Sequence, residues 1–124
     1  MSVLLDASAV LAWLQKEPGG AGVKRLLDGG LITAANWSEV LQKVCQHGGD
    51  PDEVSLLLRA LGLDVTDVTR ADGERAAQLW DRSNPLSLAD RLCLAAAHRL
   101  GRPAVTAESR WTDLDSGVEV QVIR

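Results

Sequence analysis

The chain has 124 residues, enough for one domain that buries its own core without disulfides or structural metals. Apolar residues make up 46% and charged residues 24%, which excludes disordered and fibrous classes and is ordinary for a globular domain. The net charge of −4 lacks the basic excess that polyanion binders usually carry.

Phe and Tyr are absent, so Leu, Val and Ala must fill the core, with Trp13, Trp37, Trp80 and Trp111 as the only large rings. Cys45 and Cys93 are far apart and form no C-x-x-C pattern, which points to reduced, buried thiols. The apolar N-terminus has no basic flank and is interrupted by Asp6. No other run approaches membrane-spanning length, so a cytoplasmic protein is expected.

In chain order, Val3-Leu4-Leu5 is a short apolar run suited to a strand buried on both faces. Ala7 to Gln15 reads as a helix, broken by Pro18-Gly19-Gly20, and Ala21 to Leu27 as a short second one before Gly29-Gly30. Leu31-Ile32-Thr33 is a strand, and Asn36 opens a helix running to about His47. Pro51 sits at the first turn of a helix that carries Val54, Leu57, Leu58 and Leu61. A strand from Leu63 to Val65 or Val68 precedes a helix from Arg70 to Arg82. Leu88 to Leu100 is an alanine-rich helix closed by Gly101-Arg102-Pro103. Ala104-Val105-Thr106 and the alternating Val118, Val120, Val122 are the last strands. Short strands alternating with helices predict a three-layer α/β/α sandwich with a central, mainly parallel sheet, as one domain over residues 1–124.

Parallel sheets bind ligands at the carboxyl ends of their strands. Four acids fall there: Asp6 after the first strand, Glu39 and Asp90 in first turns of helices, and Glu108 after the Ala104–Thr106 strand. Each has a plainer explanation. Asn36 to Glu39 and Ser87 to Asp90 look like capping boxes, Asp6 or Ser8 could cap the first helix, and Glu108 suits a helix N-terminus. Capping gives no reason to collect four mutually repelling carboxylates on one edge, whereas a divalent cation does. Such a cluster is what phosphodiester hydrolysis by one or two metals requires. Setting those four acids aside leaves equal numbers of acidic and basic residues, so net charge does not exclude a phosphate ligand.

The segments Leu4-Leu5-Asp6-Ala7-Ser8-Ala9, Asn36-Trp37-Ser38-Glu39-Val40, Leu86-Ser87-Leu88-Ala89-Asp90-Arg91 and Thr106-Ala107-Glu108-Ser109-Arg110-Trp111 together resemble the PIN-domain ribonuclease toxins of the VapC type. The resemblance implies Mg²⁺ or Mn²⁺ dependence, an RNA substrate, a cognate antitoxin protein and a homodimer. It places Asp6, Glu39 and Asp90 on the family's acids. Glu108 stands where the family has an aspartate, and Asp113 or Asp115 could serve in its place. Ser8 and Thr106 fall where a hydroxyl lies near the metal, and Asn36 where a supporting polar group lies. The implied reaction is in-line attack of a metal-activated water on an RNA phosphodiester, leaving 3′-hydroxyl and 5′-phosphate ends.

Arg91, next to Asp90, is read either as a phosphate ligand or as a surface arginine, with Arg110 a weaker phosphate candidate. Trp37 suits the core or an interface better than base stacking, and His47 and His98 suit helix ends and surface. A phosphoacceptor receiver would need an acidic pair at Asp6 and a late lysine. A dehalogenase-type phosphatase would need an acid at position 8, where Ser8 stands. No phosphate-binding glycine loop is present. The remaining alternative is a catalytically weak, PIN-like module that binds protein or RNA without cutting.

Overall fold

The computed structural model describes residues 2–124. Its five strands are β1 (Leu4–Leu5), β2 (Leu31–Thr33), β3 (Asp64–Thr66), β4 (Ala104–Thr106) and β5 (Val120–Val122). All neighbouring pairs are parallel, in the order β3-β2-β1-β4-β5. The helices are α1 (Ala7–Leu14), α2 (Lys24–Leu27), α3 (Ala34–Gln46), α4 (Pro51–Ala60), α5 (Arg70–Gln78) and α6 (Leu88–Leu100). Two 3-10 turns, Gly20–Val23 and Ser109–Asp113, complete the described elements.

Alternation along each strand divides the apolar residues between two faces. Leu5, Ile32 and Val105 pack with Val10, Val23, Leu27, Val40 and Leu58 in a cluster that draws on α1 to α4. Leu4, Ala104 and, at its margin, Leu31 pack with Leu79, Cys93, Leu94 and Trp111 in a second cluster that draws on α5, α6 and the Ser109–Asp113 turn. The predicted three-layer α/β/α sandwich is therefore the fold, with a sheet parallel throughout.

The strand order has one functional consequence. From β1 the chain winds to β2 and β3 on one side, then returns to place β4 against the other edge of β1. The carboxyl ends of β1 and β4 thus flank the point where the winding reverses. In an open parallel sheet, a crevice forms there.

Several boundaries differ from expectation for local reasons. Helix α3 begins at Ala34, capped by the Thr33 hydroxyl, which accepts from the Asn36 N–H at 3.1 Å. Asn36 therefore lies inside the first turn, and the expected Asn36–Glu39 capping box does not form. The true capping box is Thr69–Asp72, where each side chain accepts from the other residue's N–H at 3.1 Å. Helix α5 ends at Gln78, short of Arg82. The segment expected as a helix from Ala21 divides into the Gly20–Val23 turn and α2, and the last strand starts at Val120 rather than Val118. Cys93 is buried as expected, but Cys45 is exposed. Trp80 lies 56% exposed outside the core, beneath the Arg91 guanidinium at 5.6 Å.

Gly20 marks the tightest approach of the Gly20–Val23 turn to α1: a Cβ there would collide with the Ala12 carbonyl. Gly20→Ala should cost about 1–3 kcal/mol through overpacking against immobile backbone. Gly22→Ala, in open space, should change stability by less than about 0.5 kcal/mol. Urea unfolding of the two variants checks both values.

Candidate functional site

Asp6 leaves β1 and caps α1, so one residue ends a strand and starts a helix. Its side chain is 1% exposed, and it is surrounded by donors. The Ala9 N–H donates to Oδ1 at 2.9 Å, and the Thr106 hydroxyl donates to Oδ2 at 2.7 Å. The Ser8 hydroxyl lies 2.8 and 2.9 Å from the two oxygens and shares its proton between them. Ser8 Oγ accepts in turn from the Ala107 N–H at 2.9 Å, and Thr106 Oγ1 from the Glu108 N–H at 3.0 Å. These bonds tie the first turn of α1 to the end of β4 and leave the Asp6 carboxylate one orientation.

Glu39 sits on α3, where the Asn36 amide donates to its Oε1 at 2.7 Å. Asp90 lies in the first turn of α6. Its N–H is capped by Ser87 Oγ at 3.2 Å, the one bond of the expected Ser87–Asp90 box that forms. Glu108 precedes the Ser109–Asp113 turn and makes a loose ion pair with Arg110 at 3.6 Å.

Asp6, Ser8, Glu39, Ser87, Asp90 and Glu108 line one pocket of about 210 Å³, together with Ala7, Leu11 and Lys43. The four acids singled out from sequence thus meet at the reversal point of the sheet. A larger pocket of about 750 Å³ lies between Lys24, Arg25, Asp28 and Leu61. It gathers no comparable set of acids, so the small pocket is the one with chemistry in it.

Asp72 shows what is unusual about Asp6. Both carboxylates are 1% exposed. Asp72 receives two bonds of 2.9 Å from the Arg99 guanidinium. Burial raises its pKa, but these bonds and the Thr69 N–H outweigh that and hold it below the usual carboxylate range. Asp6 has no cation. Burial pushes it up to about 7 despite its bonds to Ala9, Thr106 and Ser8, with a further upward push from the Asp90 charge. Asp90 is raised to about 6, first by burial and then by the Glu39 charge. Among the described residues, no ion pair within 4.0 Å involves Asp6, Glu39 or Asp90.

The donor set is all carboxylate and hydroxyl oxygen, and among the described residues Asp6, Glu39 and Asp90 have no ion-pair partner, which fits a hard divalent cation. Among the described residues, no group of three or more His, Cys, Asp or Glu side chains stands close enough together to hold a metal ion as the side chains are placed. The acids instead line an open pocket, an arrangement suited to an ion that keeps part of its water shell.

Two residues weighed as alternatives, Arg91 as a phosphate ligand and Asp113 as a substitute for Glu108, do not line the pocket. Arg91 donates from Nη1 to the Ala76 carbonyl at 2.7 Å and from Nε to the Leu86 carbonyl at 3.2 Å. It braces the end of α5 against the entry to α6, which leaves its guanidinium engaged rather than offered to a phosphate. Asp113 is exposed at the end of its 3-10 turn and does not line the pocket, so Glu108 is the fourth acid present there. Trp37 packs on the first apolar cluster, and His47 ends α3 within 3.0 Å of the Gln15 amide. Lys43 was missed by sequence reasoning. Its signal was the four-residue spacing from Glu39, which puts both on one helical face.

The PIN domain family model matches residues 3–117. No curated protein matches the chain by sequence. Among solved structures, a toxin–antitoxin complex from Klebsiella pneumoniae is similar at 14% identity and a TM-score of 0.79, covering 98% of both chains. DNA-bound VapBC from Salmonella typhimurium matches at 14% identity and a TM-score of 0.72, covering 100% of this chain and 99% of the other. The sarcin-ricin loop cleaving toxin VapC20 of Mycobacterium tuberculosis matches at 17% identity and a TM-score of 0.64, covering 90% and 93%. At these identities the structural matches show a shared fold, and the family model, spanning the pocket and most of the chain, shows that the chain belongs to the PIN-domain family.

Proposed function

We propose that this chain is a divalent-metal-dependent endoribonuclease, the toxin of a type II toxin–antitoxin pair, working as a homodimer in the cytoplasm. The observation that carries the reading is the buried Asp6 carboxylate, held by three donors and left without a cation, facing Glu39, Asp90 and Glu108 across one pocket. Similarity in fold to the VapBC complex and to the sarcin-ricin loop cleaving toxin VapC20 supports a toxin partnered by an antitoxin and acting on RNA. A hollow lined by Trp13, Leu14, Ala21 and the half-exposed Leu57, with Lys16 and Glu17 also in its lining, supports a protein partner.

Asp6, Glu39, Asp90 and Glu108 would hold Mg²⁺ or Mn²⁺. Such an ion supplies Lewis acidity for water activation and neutralises charge on the phosphate. The remaining roles belong to the chain itself. Ser8 and Thr106 fix the orientation of Asp6, and Asn36 fixes that of Glu39, so little reorganisation is needed on loading. The backbone bonds from Ala107 and Glu108 fix those hydroxyls in turn.

The raised acids set a pH dependence. Asp6 ionises near 7 when folded and near 4 when unfolded, so between those values the folded chain holds more protons. Stability of the metal-free protein therefore falls as pH rises through this window, with Asp90, raised to about 6, acting in the same direction. Metal requires the deprotonated acids, so its affinity rises over the same range.

Metal-free protein should melt at lower temperature at pH 8 than at pH 5, and Mn²⁺ should raise the melting temperature far more at pH 8. Asp6→Asn should flatten the metal-free slope and remove the Mn²⁺ effect; scanning calorimetry at the two pH values reads both.

Asp6→Asn and Asp90→Asn should each abolish Mn²⁺-dependent cleavage of single-stranded RNA, which EDTA should also stop. Ser8→Ala and Thr106→Val should lose about 10–100-fold in metal affinity or activity. Full activity in folded Asp6→Asn would end the proposal. RNA binding by wild type with no cutting in either metal would instead leave a binding module.

A further inference from the structure

Lys43 lines the acidic pocket one helical turn beyond Glu39 on α3. A glutamate and a lysine four residues on normally pair along a helix. Glu39 is turned to the Asn36 amide at 2.7 Å instead, and among the described residues no ion pair within 4.0 Å involves Lys43. Two arginines near the pocket are engaged. Arg91 is held by the Ala76 and Leu86 carbonyls, and Arg110 leans on Glu108 at 3.6 Å. Lys43 is exposed, so its ammonium stays hydrated and free to reach outward from the pocket wall.

An ammonium has three donors and no acceptor, and it takes a phosphate as a point charge without demanding fixed geometry. We propose that Lys43 is the RNA-positioning residue of this site. It contacts a backbone phosphate flanking the scissile one, so that a polyanion can approach a pocket lined by four carboxylates. This inference rests on the ribonuclease reading above. It assigns Lys43 to substrate binding, with no part in bond breaking or in holding the metal.

The test compares wild type, Lys43→Gln and Lys43→Arg in three measurements. Cleavage of a single-stranded RNA in Mn²⁺ should show KM raised about tenfold in Lys43→Gln with kcat within about twofold, and Lys43→Arg should restore KM. The Mn²⁺ concentration for half-maximal thermal stabilisation should not move. Fluorescence anisotropy of a labelled RNA, read in the Asp90→Asn background, should show weaker binding in the Lys43→Gln double variant. Its salt dependence should be shallower by about 0.7 in log–log slope, the loss of one phosphate contact to a single strand. Unchanged KM and salt slope would overturn the proposal, as would a defect confined to kcat or to the Mn²⁺ requirement. If wild type binds RNA but never cuts it, while Lys43→Gln still flattens the salt slope, the phosphate contact stands and the nuclease reading falls.

Discussion

The placement of one acid at the junction of β1, β4 and α1 organises the rest of the molecule. Asp6 is removed from solvent by the sheet beneath it and oriented by Ser8, Ala9 and Thr106, residues drawn from two strands' ends almost a hundred positions apart in the chain. Burying a carboxylate without a cation is unfavourable unless donors compensate it. Here they compensate in part, and the residue's affinity for protons shows the shortfall. Asp72, equally buried, is relieved by Arg99, completes the capping box of α5 and joins α5 to α6. The difference between the two acids is the difference between a carboxylate relieved by an arginine and one compensated by hydrogen-bond donors alone.

The fold makes this possible through its connectivity. Because β4 returns to the edge of β1 opposite β2, the loops after β1 and β4 diverge above the sheet and leave a crevice between them. Helix α6 then contributes Asp90 from its first turn, where backbone N–H groups favour negative charge, and α3 contributes Glu39 from its second turn rather than the first turn expected from sequence. Capping and ligation are not competing accounts of Asp6: Oδ1 caps α1 while the carboxylate still faces the pocket. The same geometry explains why the supporting hydroxyls matter, since Ser8 and Thr106 each have one proton and both direct it to Asp6.

Charge is unevenly spread around this pocket. Four carboxylates line it, the Lys43 ammonium at its wall has no ion-pair partner among the described residues, and two arginines nearby are engaged with the protein itself. That distribution accounts for an overall negative chain remaining compatible with a polyanionic ligand. A bound divalent ion would offset the acids locally, and the helix face carrying Glu39 and Lys43 would present both signs of charge to an incoming strand.

Much of the site could be read from linear sequence. Apolar runs ending in Asp6 and Thr106 mark buried parallel strands, and the segments around Asp6, Glu39, Asp90 and Glu108 carry a family pattern with definite spacing. The alternation of short strands and helices was enough to specify the layered architecture. Strand order was not legible, because parallel strands two or three residues long carry no signal of their neighbours. Nor was the fate of the arginines: Arg91 adjoins Asp90 in sequence, yet on a helix adjacent residues point apart, and its guanidinium found carbonyls instead. The cap of α3 at Thr33 rather than Asn36, and the choice of Glu108 over Asp113, likewise depend on where the backbone turns in space. Local chemistry is written along the chain, whereas the convergence of these side chains, and which of them remain unpaired, is set by packing between segments far apart in sequence.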